Sequence, residues 1–201
     1  MQAMKRIGAP MRLSKQEINA LPLFHYDGEI RLVQDNEELK RAVHILRNER
    51  ILGLDTETRP SFRKGKGYDP SLVQLAGENV VFLFHLKRLP FAAPLVDLLE
   101  DCDIIKAGVA INDDIRILDK LHHFSACSIV DIALIARNNS MENQGLRGLA
   151  ACFLGVRISK SEQCSNWGAM DLTPRQIRYA ATDAWASRAV YMRMLEIGLV
   201  E

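Results

Sequence analysis

The stretch Ile51-Leu52-Gly53-Leu54-Asp55-Thr56-Glu57 decides the fold of this chain. Its apolar start and polar end are typical of a buried strand that emerges at the edge of a sheet. Side chains two residues apart on a strand share a face, so Asp55 and Glu57 project together. Paired carboxylates repel each other unless protonated or bound to a cation, and Mg²⁺ or Mn²⁺ prefers such oxygen ligands. A solvent-facing strand end explains the same pattern, so both interpretations stay open.

Outward from this strand, the sequence alternates between strand and helix patterns. Turn residues 77–79 separate two apolar runs and predict a hairpin. The last helix begins at Thr173-Pro174-Arg175-Gln176, which has the residue types of a capping box. This order predicts an α/β protein with a mixed sheet and helices on both faces. The expected extended segments are residues 26–33, 51–57, 72–76, 80–86, 104–109 and 128–130, and the expected helices begin near residues 14, 35, 91, 112, 132, 146 and 173.

The composition predicts one folded domain. The chain has 201 residues, of which 48% are hydrophobic and 25% charged, and this excludes a disordered chain. No apolar run approaches the roughly 20 residues of a membrane span, so no membrane partner is expected. The formal net charge of +1 argues against holding nucleic acid by bulk electrostatics. We divide the chain into an N-terminal extension with a short helix, residues 1–25, and a main domain, residues 26–201; residues 1–12 are expected to be loose.

The cysteines predict a reducing compartment. They form no Cys-x-x-Cys pair and have apolar or small neighbours, so all four are expected to be buried free thiols. No signal peptide is recognised, and the expected location is cytoplasmic. The four are Cys102, Cys127, Cys152 and Cys164.

Two further polar groups fall on helices. Asp113 and Asp114 follow the strand that ends at Val109, where one acidic residue complements the helix dipole and a second remains to point elsewhere. Tyr179 and Asp183 lie four residues apart in the last helix and share one face, as a structural hydrogen bond also requires. Carboxylates from such separate elements can converge, and their charge then requires compensation. A pair of divalent cations supplies it and suits phosphoryl transfer.

At this point the sequence resembles a known family. Asp55-x-Glu57, Asp114 and Tyr179-x-x-x-Asp183 match the three motifs of the tyrosine-bearing (DEDDy) branch of the DEDD 3′-5′ exonucleases, over residues 51–195. Within it, the chain looks most like Werner-type exonuclease domains and more distantly like ribonuclease D. Aligned on Gly108-Val109, the second-motif aspartate is Asp114, which makes Asp113 the candidate helix cap. Further matching stretches are Leu72-Val73-Gln74-Leu75, Lys106-Ala107-Gly108-Val109, Cys164-Ser165-Asn166-Trp167 and Tyr179-Ala180-Ala181-Thr182-Asp183-Ala184.

The resemblance implies a ribonuclease H-like fold with a five-stranded mixed sheet flanked by helices on both faces. It implies hydrolysis from the 3′ end of DNA or RNA, with release of nucleoside 5′-monophosphates. Asp55, Glu57 and Asp183 would hold one Mg²⁺ or Mn²⁺ ion. Asp55 together with Asp114, acting mainly through water, would position a second.

The resemblance also implies roles at the reacting end of the strand. Tyr179 would orient the attacking water and help to deprotonate it. A phenol with a pKa near ~10 is a poor base at neutral pH, so lowering the pKa of the water falls chiefly to the metal. Glu57 and the backbone near Thr56 would contact the terminal 3′-hydroxyl.

A basic loop follows the first motif. It is interpreted either as a solvated loop or as a cover for the substrate strand, with cations on phosphates and Phe62 or Tyr68 stacked on a base. Arg116 stands where Werner-type domains have an aromatic residue and is a further candidate for a phosphate contact. Arg175 and Arg178 belong either to an exposed helix face or to the phosphate contacts. The cations of the basic loop are Arg59, Arg63, Lys64 and Lys66.

The leading hypothesis is a metal-dependent 3′-5′ exonuclease acting on nucleic acid with a free 3′ end. The alternatives are a catalytically silent nucleic-acid-binding module and a hydrolase of very short oligonucleotides. The sequence does not decide between DNA and RNA, between single strands and recessed duplex ends, or among oligomeric states.

Overall fold

A computed structural model describes residues 8–61 and 67–200 of the chain. Within these ranges six strands form one sheet, and seven helices pack around it. The strands are β1 Glu29–Val33, β2 Ile51–Thr58, β3 Pro70–Ala76, β4 Val80–His85, β5 Ile105–Gly108 and β6 Ile129–Asp131. The helices are α1 Lys15–Ala20, α2 Asn36–Leu46, α3 Ala93–Glu100, α4 Ile111–Leu121, α5 Ile132–Asn138, α6 Leu146–Leu154 and α7 Pro174–Glu196.

The sheet is mixed, as predicted, with the strand order β1-β4-β3-β2-β5-β6. The central strand β2 pairs antiparallel with β3 and parallel with β5. The resemblance implied five strands, whereas the described residues form six. The additional edge strand is β1, which pairs in parallel with β4 from Glu29 opposite Val80 to Val33 opposite Phe84. Ile30 of β1 packs against the core on one side of the sheet, and this contact stabilises the short edge strand.

Helices cover both faces of the sheet, as predicted. On one face, α2, α3 and α4 bury apolar side chains against β2, β3 and β4. On the other face, α7 lies across the sheet, with α5 and α6 packed beside it. The predicted apolar face of α2 is buried, and each such side chain contributes roughly 1.5–3 kcal/mol when removed from water. Its residues are Leu39, Val43 and Leu46. None of the helices in the described ranges combines the length and the hydropathy that crossing a bilayer requires.

Helix caps agree with the sequence in two long helices and differ in one. Asp35 caps α2, which begins where a helix was expected, and Thr173 forms a capping box with Gln176 at the start of α7, as predicted. The prediction that Asp113 caps a helix is wrong. The N-cap of α4 is Ala110, in the left-handed region at φ 56°, and Asp113 lies three residues inside the helix. At that position a side chain complements the helix dipole instead of capping the first turn.

The prediction of four buried free thiols is wrong. Cys102 and Cys127 form a disulfide, Cys152 is free and buried, and Cys164 is free and exposed. Cys102 lies just before β5 and Cys127 just before β6, and these two strands pair in parallel, so their starts lie side by side. This proximity depends on strand pairing and not on cysteine spacing. The cytoplasmic location loses the support of the thiols and stays a prediction.

The described part of the N-terminal extension packs on the main domain. The carbonyl oxygen of Met11 accepts a 3.0 Å hydrogen bond from the backbone nitrogen of Glu142, and Arg12 pairs with the same glutamate at 3.2 Å. The expectation of a loose N terminus is therefore wrong for residues 8–12. The boundary at residue 25 stays a prediction.

Candidate active site

Three carboxylates from two elements meet at one place. Asp55 and Glu57 lie two residues apart on β2 and project to the same face of the sheet. α7 crosses this face and brings Asp183 to them. One oxygen of each carboxylate lies within 4.8 Å of the others. The structure thus brings together the acidic residues of the first and third motifs at a spacing suited to a shared cation.

The close approach of α7 to β2 depends on Gly53. A β-carbon at this position would overlap the backbone carbonyl oxygen of Ala184 and lie 2.8 Å from the backbone nitrogen of Arg188. Glycine therefore leaves the room that the helix backbone occupies. Asp183 precedes Ala184 in the helix, so this contact sets the distance between Asp183 and the strand that carries Asp55.

The fourth carboxylate reaches the site from α4. Asp114 lies in the first turn of this helix and accepts a 2.6 Å hydrogen bond from the hydroxyl of Thr56. The backbone nitrogen of Thr56 donates a 2.9 Å hydrogen bond to Asp55 Oδ1. Thr56 therefore connects carboxylates of the first and second motifs. The family resemblance implied only a backbone contact to the substrate for this residue.

Burial raises the pKa values of all four carboxyl groups. It raises the pKa of Asp183 to about 7 and that of Asp114 to about 6. Burial first, and then the charges of neighbouring carboxylates, raise the pKa values of Asp55 and Glu57 above their ordinary range. The four carboxyl groups together cannot all be ionised at neutral pH without a compensating cation.

Tyr179 adjoins the acidic group from the same helix as Asp183. Its hydroxyl is close enough to the Asp183 carboxyl group for each to shift the pKa of the other. Burial and the nearby carboxylates raise the pKa of Tyr179 above its ordinary value, so the phenol stays protonated at neutral pH. The tyrosine ring lies 6.0 Å from the ring of Trp167, measured between centroids, and this tryptophan is fully buried. Trp167 therefore supports the ring of Tyr179 from the core.

The donor set fits a divalent cation. Asp183 Oδ1 is buried and has no hydrogen-bond partner in the part of the chain that the structure describes. Carboxylate oxygens are the ligands that Mg²⁺ and Mn²⁺ prefer. A cation held by Asp55, Glu57 and Asp183 would satisfy this oxygen and offset the repulsion within the group, and Asp114 is available for a second ion.

The acidic group lies in a cleft of about 700 Å³. Three cations outside the predicted site also line this cleft: Lys15, Arg147 and Lys160. Lys160 is close enough to Asp183 to lower its pKa slightly against the effect of burial. These cations come from α1, α6 and the segment after α6, and none of them lies in a stretch quoted for the family resemblance, so only the folded chain reveals them.

A second cavity, of about 400 Å³, adjoins the first, because Tyr179, Asp183 and Ser159 line both. Arg175 and Arg178 lie on its wall. The sequence allowed two interpretations of these arginines, an exposed helix face or contacts with phosphates. The structure places them at a cavity that leads to the acidic group.

The other predicted substrate contacts stay predictions. Arg59 lies over the ring of Tyr68, with 5.2 Å between the guanidinium carbon and the ring centroid. Arg116 forms an exposed ion pair with Asp113 at 2.9 Å. Neither arginine is among the described residues that line the two cavities. The remaining loop residues named as contacts lie outside the described ranges: Phe62, Arg63, Lys64 and Lys66.

Comparison with known proteins agrees with this geometry. A family model described as 3′-5′ exonuclease matches residues 30–198. The chain is similar to the bifunctional 3′-5′ exonuclease/ATP-dependent helicase WRN of Mus musculus, with 34% identity over 154 residues, which cover 74% of this chain and 11% of that protein. It is similar to ribonuclease D of Gluconacetobacter diazotrophicus, with 34% identity over 169 residues, which cover 82% of this chain and 42% of that protein. The chain thus spans less than half the length of either relative.

A solved structure shows the same fold. The ribonuclease D of Trypanosoma brucei, in complex with RNA U12, aligns with a TM-score of 0.74 at 22% identity, covering 84% of this chain and 63% of that chain. The predicted α/β, ribonuclease H-like fold is confirmed.

Proposed function

This chain belongs to the 3′-5′ exonuclease family, and from that membership we propose that it hydrolyses nucleic acid from a free 3′ end and releases nucleoside 5′-monophosphates. Members of the family are hydrolases. The observation that carries the proposal is the group formed by Asp55, Glu57 and Asp183, whose carboxylate oxygens lie within 4.8 Å of one another in the larger cleft.

The proposed reaction depends on divalent cations, Mg²⁺ or Mn²⁺. Asp55, Glu57 and Asp183 would hold one ion, and Asp55 with Asp114 would position a second. When bound, such ions lower the pKa of the attacking water and stabilise charge on the attacking and leaving oxygens. The buried donor set and the unpartnered Asp183 Oδ1 support this assignment, because a cation offsets the cost of both.

Tyr179 is proposed to orient the attacking water. Its raised pKa keeps the hydroxyl protonated, so it serves as a hydrogen-bond partner and not as a base. Tyr179 lines the cleft together with Asp55, Glu57 and Asp183, which supports this role. Glu57 and the backbone at Thr56 are proposed to contact the terminal 3′-hydroxyl, because both line the cleft beside the carboxylates.

The proposed substrate is a nucleic-acid strand, DNA or RNA. The Trypanosoma brucei ribonuclease D similar to this chain is described in complex with RNA, which supports a nucleic-acid ligand for this fold. The cleft adds support, since three cations share its walls with the acidic group.

A time course on end-labelled oligonucleotides tests the proposal. Wild type is expected to shorten 5′-labelled DNA or RNA one nucleotide at a time in Mg²⁺ or Mn²⁺, and to release labelled mononucleotide from 3′-labelled strands. Asp55→Asn and Asp183→Asn are expected to abolish both signals. Asp114→Asn should reduce activity by at least about 100-fold. Asp113→Asn is the matched control, because this neighbour pairs with Arg116 on the surface and should retain full activity.

The same experiment separates the alternatives. Strand binding without turnover in either metal would identify a silent binding module. Turnover of dinucleotides but not of longer strands would identify an oligonucleotide hydrolase. Full activity of Asp183→Asn, or activity that persists in excess chelator, would contradict the proposed use of cations.

A further inference from the structure

We propose that α1 and the start of α6 form a binding site for the phosphate backbone of the substrate strand, on the 5′ side of the scissile bond. The site consists of Lys15 and Asn19 from α1 and Arg147 from α6, all of which line the larger cleft. This inference rests on the proposed function, because the ligand is the strand that the enzyme degrades. α1 precedes residue 30, where the match to the family model begins, so the family pattern assigns it no role.

Both ends of the segment that carries α1 are tied to the main domain. On its N-terminal side, the backbone nitrogen of Leu13 donates to Asn143 Oδ1 at 2.7 Å, and Asn143 Nδ2 donates to the Leu13 carbonyl oxygen at 3.1 Å. On its C-terminal side, Phe24 nitrogen donates to the Arg157 carbonyl oxygen at 2.8 Å, and Arg157 nitrogen donates to that of Pro22 at 2.9 Å. α1 is therefore a fixed wall of the cleft.

The polar groups on this wall are arranged for an anion. Arg147 Nη2 donates a 2.6 Å hydrogen bond to Asn19 Oδ1, which joins the two helices and orients the guanidinium group. A guanidinium group has five N–H donors, and the contact with Asn19 uses one of them, so the arginine retains donor capacity. Lys15 is exposed and adds a mobile ammonium group at the same wall. Guanidinium and ammonium groups are the usual partners of phosphate oxygens.

The charge balance of the cleft favours a polyanion once cations are bound to the acidic group. Its other carboxylate, Glu142, already pairs with Arg12 at 3.2 Å. With cations bound to the acidic group, three charged side chains of the described cleft have no partner of opposite sign. They are Lys15, Arg147 and Lys160. A strand of phosphodiesters supplies that partner.

The chemistry of the reaction assigns the direction. Removal of one nucleotide from a 3′ end leaves that nucleotide with the scissile phosphate alone, and every other phosphate lies on its 5′ side. Lys160 lines the same cleft as Asp183 and acts on its charge, so we assign Lys160 to the scissile phosphate. Cations on the α1 wall must then meet phosphates upstream of it. Because such contacts are made to the backbone, they raise affinity for longer strands without sequence preference.

Kinetics as a function of strand length test this inference. Lys15→Ala and Arg147→Ala are compared with wild type on oligonucleotides of two to eight residues, and on the p-nitrophenyl ester of thymidine 5′-monophosphate, which has one phosphate. Lys15→Ala is expected to lower kcat/KM on the octanucleotide about fivefold and Arg147→Ala about tenfold, mainly through KM. Both should hydrolyse the ester within about twofold of wild type. The dependence of KM on salt should weaken by about 0.7 in log-log slope for each lost contact.

Two control variants accompany this experiment. Lys40→Ala removes an exposed lysine of α2 that pairs with Glu37, and it should match wild type on every substrate. Arg147→Ala also removes the hydrogen bond to Asn19 in α1, so a second variant is needed. Arg147→Lys keeps the charge and is expected to recover at least half of the kcat/KM that Arg147→Ala loses. The same length dependence in Lys15→Ala as in Lys40→Ala would overturn the inference.

Failure of the proposed function would be visible separately, as an absence of hydrolysis of ester and oligonucleotides by wild type. In that case fluorescence anisotropy measures the affinity of wild type and Lys15→Ala for a labelled octanucleotide. Lys15→Ala should then weaken binding about fivefold, and unchanged binding would contradict the inference.

Discussion

The hydroxyl of Thr56 donates a 2.6 Å hydrogen bond to Asp114 Oδ1, although the two residues lie 58 positions apart in the chain. The backbone nitrogen of Thr56 donates to Asp55 at the same time. One residue at the end of β2 therefore orients carboxylates that belong to two motifs. The hydrogen bond also opposes the effect of burial on Asp114, because it stabilises the charged form and lowers the pKa of this carboxyl group.

Replacement of Thr56 by valine removes this hydrogen bond while keeping the shape of the side chain. We expect the pKa of Asp114 to rise further and the concentration of Mn²⁺ needed for half-maximal activity to increase about tenfold. Titration of activity with Mn²⁺ at fixed pH measures the effect. Thr56→Ser retains the hydroxyl and should stay within about threefold of wild type. Equal metal requirements in all three proteins would show that the hydroxyl has no part in the site.

Replacement of Tyr179 by phenylalanine removes the hydroxyl and keeps the ring against Trp167. We expect kcat to fall about 10- to 100-fold, with little change in the metal requirement, because the hydroxyl orients water and the carboxylates hold the ions. Single-turnover rates in saturating Mn²⁺ give this number. Burial raises the pKa of Tyr179, so the phenol should not ionise in the alkaline range of the assay. The alkaline limbs of the pH–rate profiles of wild type and Tyr179→Phe should therefore have the same shape.

The sequence was sufficient for the parts of the site that depend on local periodicity. Alternation along β2 placed Asp55 and Glu57 on one face, and helical spacing placed Tyr179 with Asp183. The family resemblance implied only a backbone role for Thr56, and the same alternation points its side chain to the opposite face. Its contact with Asp114 depends on where α4 begins, and no local pattern reports that.

Other features depend on contacts between distant segments. Lys15 and Arg147 lie 132 positions apart and line the same cleft because hydrogen bonds hold both ends of the α1 segment on the main domain. The disulfide between Cys102 and Cys127 depends on the parallel pairing of the strands that follow them. Cysteine spacing alone contains no information about that pairing.

Without divalent cations, the folded protein should lose stability as the pH rises from about 4 to about 8. Folding raises the pKa of Asp114 to about 6 and that of Asp183 to about 7, from an ordinary value of 3.8. A group with a raised pKa contributes stability that is complete below the ordinary value and is lost as the pH passes the folded value. We expect the midpoint of thermal unfolding in chelator to fall by roughly 5–10 °C across this interval.

Asp183→Asn provides the control for this pH dependence. The amide is nearly the same size as the carboxyl group and does not ionise, so the fall should be smaller in this variant. Addition of Mn²⁺ at pH 8 should raise the unfolding midpoint of wild type, because ion binding stabilises the folded state, and should do so less in Asp183→Asn. Identical pH profiles for the two metal-free proteins would contradict the raised pKa of Asp183.

Replacement of Gly53 by alanine should damage stability and activity together. The added methyl group would overlap the Ala184 carbonyl oxygen and lie 2.8 Å from the nitrogen of Arg188, and both atoms belong to the helix backbone, which cannot rotate away. α7 must then move off β2, at a cost of about 1–3 kcal/mol or more, and Asp183 moves with it away from Asp55. Chemical denaturation measures the first effect, and turnover in saturating Mn²⁺ measures the second. Gly67→Ala is the matched control, since a β-carbon at Gly67 meets no other described atom within 4 Å. If Gly53→Ala lost stability but kept full turnover, the contact would hold the fold together without setting the distance between the two carboxylates.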